Sequence, residues 1–448
     1  MDGKRQKLLD ENNNLLPREH LVVDNNDMSR PKPRVINHDV DSILVNWIDI
    51  DMYAAAQPLS TNPKKGEIVP GSTLGPVPVI RFFGVSHEGC SVAVHVHGFT
   101  PYFYCDPPSS DFDESHLAAF RENLESRLAQ AKRGAENAAI RVHVLSVQLC
   151  KRQSVFGFSA NVRTNMIQIF IASPSLVATA RGILERGFKP SPSHSELTLQ
   201  TYESNVPFVL RYMVDHHIVG CNWIELKPGT YCQRMLKTQE TRCQLEFDVV
   251  YDQVVSHPPQ GQFSRVGKLR IFSFDIEFVV FLIFFLTTTR CMGRKGHFPD
   301  PKFDSVIQIA NFIYTHGEDL STCKKIVFVL GGCSPIVNAK VVSFNTESEL
   351  LLAWSDLMRV SDPDVLTGYN IQNFDMPYLM NRAKELKIDM RFENLGRIVN
   401  QRAKMKNSTF SSSAFGTRDS VDTQIDGNFN IYPMLNRQLM SLQRSRYA

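Results

Sequence analysis

Asp275 and Glu277 stand two residues apart in the stretch from Arg270 to Glu277 (Arg-Ile-Phe-Ser-Phe-Asp-Ile-Glu). From Phe272 apolar and polar positions alternate with a period of two, which predicts a buried strand. Residues two apart on a strand point to one face, so these two carboxylates share a face. They repel each other unless a cation sits between them. A hard divalent ion, Mg²⁺ or Mn²⁺, suits such oxygen ligands. The alternative is a half-exposed strand with a solvated acidic face. A third carboxylate arrives from another element. Asp364 to Thr367 reads as a short strand, and Gly368 to Leu379 follows it. Asp375 falls where a helix would start, with Pro377 in the first turn and Leu379 and Ala383 on its apolar stripe.

Phe274 to Glu277 (Phe-Asp-Ile-Glu) and Tyr369 to Asp375 (Tyr-Asn-Ile-Gln-Asn-Phe-Asp), in this order and separation, resemble the first and second exonuclease motifs of family B DNA polymerases. Gly293 to Pro299, Val306 to Ile309 and Asp362 to Val365 are similar to the same family. So are His97 to Tyr104 and Val219 to Trp223 in the front half. The resemblance runs roughly from Leu44 to Gly427. It implies a 3′–5′ exonuclease that hydrolyses with two metals. Asp275, Glu277 and Asp375 would be the catalytic carboxylates and the ligands of Mg²⁺ or Mn²⁺. Asn370, Phe374 and Tyr378 would line the site for an unpaired 3′ end, where an aromatic ring can stack on a base. Without the resemblance, Phe374 and Tyr378 read as ordinary core. Arg294 and Lys295 would meet phosphate. The resemblance further implies a nuclear location, single-stranded DNA 3′ ends as a partner, and other polymerase subunits as companions of the full-length relatives.

The chain has 448 residues, which suggests two or three domains. Its formal net charge of +3 gives no global basic field, so nucleic-acid contacts must be local. Nine cysteines without a Cys-x-x-Cys pair argue against zinc ribbons and disulfide frameworks. The polar start shows no secretory signal, and Lys4 to Lys7 reads as a solvated terminus. Phe278 to Leu286 as a helix would span roughly 14 Å against about 30 Å for a bilayer core, so no membrane span is expected.

Residues 1–40 are expected to be a disordered tail. Residues 41–243 are expected to form an α+β N-terminal domain. Val77 to Val85 reads as a strand with an edge-type proline, and Cys90 to His97 as its hairpin partner through the turn at Ser86 to Gly89. His95 and His97 share a strand face, open to metal binding or plain strand surface. Amphipathic helices are expected over Asp113 to Ala131 and from Ser173 to Glu185. Lys151, Arg152 and Arg163 could touch a nucleic-acid backbone or be solvated surface. Residues 244–427 are expected to form an incomplete α/β exonuclease domain, and its ribonuclease-H-like fold is implied by the resemblance. Thr346 to Glu349 reads as a capping box before a helix with Leu350, Leu351, Trp354, Leu357 and Met358 buried.

Against the family pattern, residues 278–290 look inserted and 428–448 look like a diverged tail. The family's third exonuclease motif, its palm, fingers and thumb, and its cysteine-rich region with an iron–sulfur cluster are expected to be absent. DNA synthesis is then not expected, and exonuclease activity should be weak. A catalytically inactive product that binds nucleic acid or a partner is the other reading.

Overall fold

The computed structural model describes residues 28–430 apart from 56–59, 63–66, 69–74, 132–138, 154–161, 192–194, 280–298 and 413–415. Alternating apolar residues build two large sheets. A seven-stranded sheet runs in the order Tyr231–Gln233, Leu245–Val250, Ser91–His97, Val77–Ser86, Ile43–Ala55, Trp223–Leu226, Val254–His257. Neighbours are antiparallel except for Leu245–Val250 beside Ser91–His97, which is parallel. The strand read with an edge-type proline, Val77–Ser86, is the central one of the seven. Pro78 is the second residue of that strand, opposite Ala54 near the end of the pairing, where a missing amide interrupts the ladder least. Leu245–Val250 and Val254–His257 belong to this front sheet. The next sheet begins at Arg270.

A four-stranded sheet, Val144–Gln153, Arg163–Ile171, Tyr102–Cys105 and Thr201–Tyr202, carries the helices Leu117–Gln130 and Pro174–Arg186. Phe120, Leu124 and Leu128 recur at helical spacing and are fully buried in its core with Phe103, Ile167 and Ile169. Lys151, Arg152 and Arg163 stay exposed, and Arg152 lies over the Tyr104 ring, 5.6 Å from its centroid.

The six-stranded sheet runs Lys340–Phe344, Lys324–Leu330, Ser305–Thr315, Arg270–Val279, Val365–Thr367, Phe429–Asn430. Ser305–Thr315 is antiparallel to both its neighbours, and the remaining pairs are parallel. The helix Glu347–Ser361 covers one face. Thr346 accepts a hydrogen bond from the Glu349 amide at its start, and Leu350, Leu351, Trp354, Leu357 and Met358 are all buried. Trp354 is fully buried and donates its indole N–H to Asn311 Oδ1 at 2.9 Å. A hairpin of Lys404–Ser412 and Gly416–Gln424 follows.

Several expectations change here. Residues 28–40 are placed rather than forming a tail. Met28 packs into the core of the six-stranded sheet, and Arg30 bonds both Asp362 and Asp364 while donating to the Gly89 carbonyl at 3.0 Å. One apolar and one bidentate side chain suffice to anchor a segment of otherwise polar composition. The pairing of Phe429–Asn430 with Val365–Thr367 puts the start of the expected diverged tail inside the sheet. His95 and His97 are neither surface nor clustered for a metal. Both are buried, His95 against Glu246 at 2.9 Å and His97 against Asp248 at 2.7 Å. Of the segment expected to be inserted, Phe278 and Val279 pair with Val306 and Ser305 beyond a register shift at Glu277. Residues 280–290 lie outside the described residues. The eight described cysteines are all free. No helix among the described residues is long and apolar enough to cross a membrane.

Candidate active site

Arg270–Val279 is flanked on both sides by strands, and Phe272, Phe274 and Ile276 point into the core. The strand's period of two then turns Asp275 and Glu277 to the other face. Asp275 is exposed and Glu277 half-buried. The second motif is brought against this strand by close packing. A Cβ on Gly368 would lie 2.6 Å from the Phe274 carbonyl oxygen and 2.4 Å from an Ile371 methyl, so only glycine fits there. Asn370 takes a left-handed φ of 56°, and its carbonyl accepts from the amides of Asn373 and Phe374 at 3.2 and 3.1 Å. This turn delivers Asp375 to the first position of the helix Asp375–Glu385.

The helix is pinned from below. Tyr378 donates its hydroxyl to the Asp304 carbonyl at 2.6 Å, and Arg382 forms a two-pronged pair with Glu347 at 2.8 and 2.7 Å. Bidentate guanidinium–carboxylate geometry fixes both distance and orientation. Arg382 and Glu347 are scaffold residues that the sequence reading missed, because nothing in their spacing links two helices.

Asp375 is 2 % exposed, and Asp275 lies close enough for its charge to act on it. Burial, and then the Asp275 charge, push the Asp375 carboxyl up to about 7. Burial and the neighbouring Glu277 also raise Asp275. Asp375 Oδ1 accepts a long bond from the Ile276 amide, 3.3 Å, which offsets part of the effect. Two neighbouring carboxyls that raise one another resist ionising together unless a cation joins them. Their hard oxygen donors fit a divalent cation. Among the described residues, no group of three or more His, Cys, Asp or Glu side chains is arranged to hold a metal ion. The structure thus joins Asp275 to Asp375, with Glu277 close enough to act on Asp275 electrostatically.

The other expected residues divide. Asn370 is exposed on the turn, Phe374 half-buried, and Tyr378 fully enclosed in the core. The Phe374 and Tyr378 rings are 5.9 Å apart. Burial of Tyr378 agrees with the core reading, and its ring is not offered to a ligand. Arg294 and Lys295 lie outside the described residues. Tyr369, 83 % exposed beside Asn370, was not singled out in the sequence. The signal was a large aromatic in a loop with no apolar stripe to bury it.

A mixed sheet with carboxylates on its central strand, a parallel strand leading into a helix beside them, and a β-rich unit in front define an α+β domain joined to an α/β domain of ribonuclease-H-like type. The description "DNA polymerase family B, exonuclease domain" matches residues 199–441, and "DNA polymerase delta catalytic subunit-like, N-terminal domain" matches 98–178. The chain belongs to DNA polymerase family B. DNA polymerase delta catalytic subunits from Glycine max and Mesocricetus auratus are 42% and 41% identical to it over 88% and 87% of its length. That from Schizosaccharomyces pombe is 37% identical over 90%. The chain spans about a third of these relatives, 33% to 34%. The solved family B DNA polymerase of Pyrobaculum calidifontis shares the fold, with a TM-score of 0.50 at 20% identity over 87% of this chain and 36% of that one. The family match reaches residue 441, beyond the point near 427 where the resemblance was expected to end. The family's exonuclease domain works with divalent metal ions in general.

Proposed function

We propose that this chain is the front part of a DNA polymerase delta catalytic subunit and carries a 3′–5′ exonuclease site for single-stranded DNA ends. The observation that supports it most is the meeting of Asp375 with Asp275 across two motifs separated by a hundred residues of chain. Asp275, Glu277 and Asp375 would hold Mg²⁺ or Mn²⁺. When bound, such ions supply a Lewis acid that lowers the pKa of water and stabilises a leaving oxygen. The protein's own part is positional. The Gly368 contact sets the loop against the acidic strand, and the Arg382–Glu347 pair keeps Asp375 in place. Exposed Asn370 and Tyr369, with half-buried Phe374, form the rim on which an unpaired nucleotide would rest. Stacking on such an aromatic is worth about 1–3 kcal/mol per base. Work on DNA in the nucleus beside other polymerase subunits belongs to the same proposal.

The test is digestion of end-labelled single-stranded DNA by the purified chain with Mg²⁺, with Asp275→Ala/Glu277→Ala as the blank. Trimming that the blank abolishes supports the reading. A second reading, a nucleic-acid-binding module without catalysis, is favoured by the absence of a three-ligand group among the described residues. Under it, the labelled strand is bound by both proteins and trimmed by neither.

A further inference from the structure

Behind the acidic strand, a segment from the front of the chain is clamped across the junction of the two domains. Residues 28–31 are held by both large sheets. Met28 is buried in the core of the six-stranded sheet, and its carbonyl accepts from Arg270 Nη1 at 2.7 Å. The Pro31 carbonyl accepts from Gln244 Nε2 at 2.8 Å, just before the front-sheet strand Leu245–Val250. Arg30 lies between these ends and is buried. Its Nη1 donates to the Gly89 carbonyl at 3.0 Å, in the turn between two front-sheet strands. Its Nε and Nη2 donate to the Asp362 carbonyl at 3.1 and 2.6 Å, and they face the carboxylates of Asp362 and Asp364 at 2.8 and 2.7 Å.

Those two aspartates set how the second motif begins. Asp362 ends the helix Glu347–Ser361 in a left-handed conformation, φ 44°, which is uncommon for a residue with a Cβ and needs support from its surroundings. Asp364 donates its amide to the Arg270 carbonyl at 2.8 Å, and its Oδ2 accepts from the Arg270 amide at 2.7 Å. The strand that follows, Val365–Thr367, is only three residues long and pairs with Ile271, Phe272 and Ser273. So short a ladder fixes its register weakly, and the contacts of Asp364 pin its end. Gly368 and the turn to Asp375 come directly after it. Burial raises the Asp364 carboxyl, but the charges of Arg30 and Arg397 bring it below the ordinary carboxylate range. Arg397 takes Oδ1 of each aspartate, at 2.8 and 2.7 Å, while Arg30 faces Oδ2 of each, so neither arginine duplicates the other. A planar fork fixes both distance and angle, which an ammonium on a flexible stem does not.

We propose that residues 28–31 act as a strap across the two domains, and that Arg30 is a positioning residue for the site of Asp275, Glu277 and Asp375. Arg30 holds the strand Val365–Thr367 and the turn beyond it in the place that brings Asp375 to the acidic strand. It acts on that turn whatever the site does, and on trimming only if the exonuclease function proposed above holds.

The experiment compares amide hydrogen exchange in the wild type, Arg30→Gln and Arg30→Lys, below the unfolding temperature of each. Glutamine removes the charge and the fork, and lysine keeps the charge alone. Amides of residues 362–376 should exchange about tenfold faster or more in Arg30→Gln, with Arg30→Lys between it and the wild type. Leu245–Val250 and Lys324–Leu330 should keep their wild-type rates. Unchanged rates over 362–376, or an even rise along the whole chain, overturn the proposal. Should Arg30→Gln fail to fold, Arg30→Lys decides by the same comparison, and wild-type exchange in it overturns the need for the fork. Digestion of end-labelled single-stranded DNA gives the second readout. Where the wild type trims, kcat should fall about tenfold or more in Arg30→Gln with KM within about twofold, because a displaced Asp375 spoils the reacting geometry and not the hold on the strand. An unchanged kcat, or a loss carried by KM alone, overturns Arg30 as a positioning residue. A wild type that trims nothing overturns the exonuclease reading instead, and the exchange pattern then decides the strap by itself.

Discussion

Glu246 and Asp248 stand two residues apart on a strand of the front sheet, as Asp275 and Glu277 do on the six-stranded sheet. In sequence the two acidic pairs look alike. In the fold they are treated in opposite ways. Glu246 is fully buried and is met by His95, the amides of Glu240 and Thr241, the Thr241 hydroxyl and Arg234. Asp248 is held by His97 at 2.7 Å and by a two-pronged Arg234 at 2.9 and 2.7 Å. Burial pushes both carboxyls up, but these donors outweigh it and both end below the ordinary carboxylate range. Around Asp275 and Asp375 no arginine, lysine or histidine pairs with either carboxylate among the described residues, and both carboxyls are raised. One acidic pair is thus met by cations and amides within its own sheet, while the other is shifted upward by burial and by its own neighbouring carboxylates.

The comparison breaks most visibly under mutation of the front pair. Glu246→Ala would leave Arg234 and His95 without their shared acceptor and several amides unpaired. Chemical denaturation should show a loss of roughly 3–5 kcal/mol. Asp275→Asn removes a repulsion instead, and the same measurement without added metal should show no loss. If both substitutions destabilise alike, the contrast between the two pairs is wrong.

The next effect is on catalysis. Asp375→Asn keeps the shape of the side chain and removes its charge. Trimming of end-labelled single-stranded DNA should fall by about 10²-fold or more, on the scale of losing correct placement at a reacting centre. Activity within twofold of the wild type would remove Asp375 from the site.

Smaller shifts should follow pH. The folded Asp375 carboxyl, at about 7, lies above its unfolded value near 4. Its contribution is complete below about pH 4 and is lost as pH rises towards 7. Glu246 and Asp248 behave conversely, with stability present above about pH 4 and lost as pH falls below it. In chelator, Asp375→Asn should therefore gain on the wild type between pH 5 and 7 by roughly 1–2 kcal/mol, read from urea midpoints. Adding Mn²⁺ should remove the difference, since a bound cation favours the ionised wild-type carboxylates. A constant gap across that range, with or without Mn²⁺, would show that Asp375 does not titrate there.

The smallest expected effect is at Tyr369. With its side chain largely in solvent, Tyr369→Ala should change stability by less than about 0.5 kcal/mol. Fluorescence anisotropy with an unlabelled-end oligonucleotide competitor should show binding weakened by about 1 kcal/mol or more. Unchanged affinity would take Tyr369 out of the rim.

Much was legible in the chain before folding. Period-two alternation marked the strand from Phe272 to Glu277, now Arg270–Val279, and helical spacing marked Glu347–Ser361 and Asp375–Glu385, because burial of one face leaves a local record. The motif around Gly368 to Asp375 was equally plain, since its turn needs a bare Cα and a left-handed Asn. Tertiary structure decided what those residues meet. Nothing local told that Glu246 and Asp248 would face Arg234 and two histidines, while Asp275 would face Asp375. Nor did the polar composition of residues 28–40 reveal that Arg30, with Arg397, would clamp Asp362 and Asp364 behind the second motif. Periodicity is written within one element. The charge state of a carboxylate is set by whichever distant groups the fold brings within a few ångströms of it, and by how much water it removes.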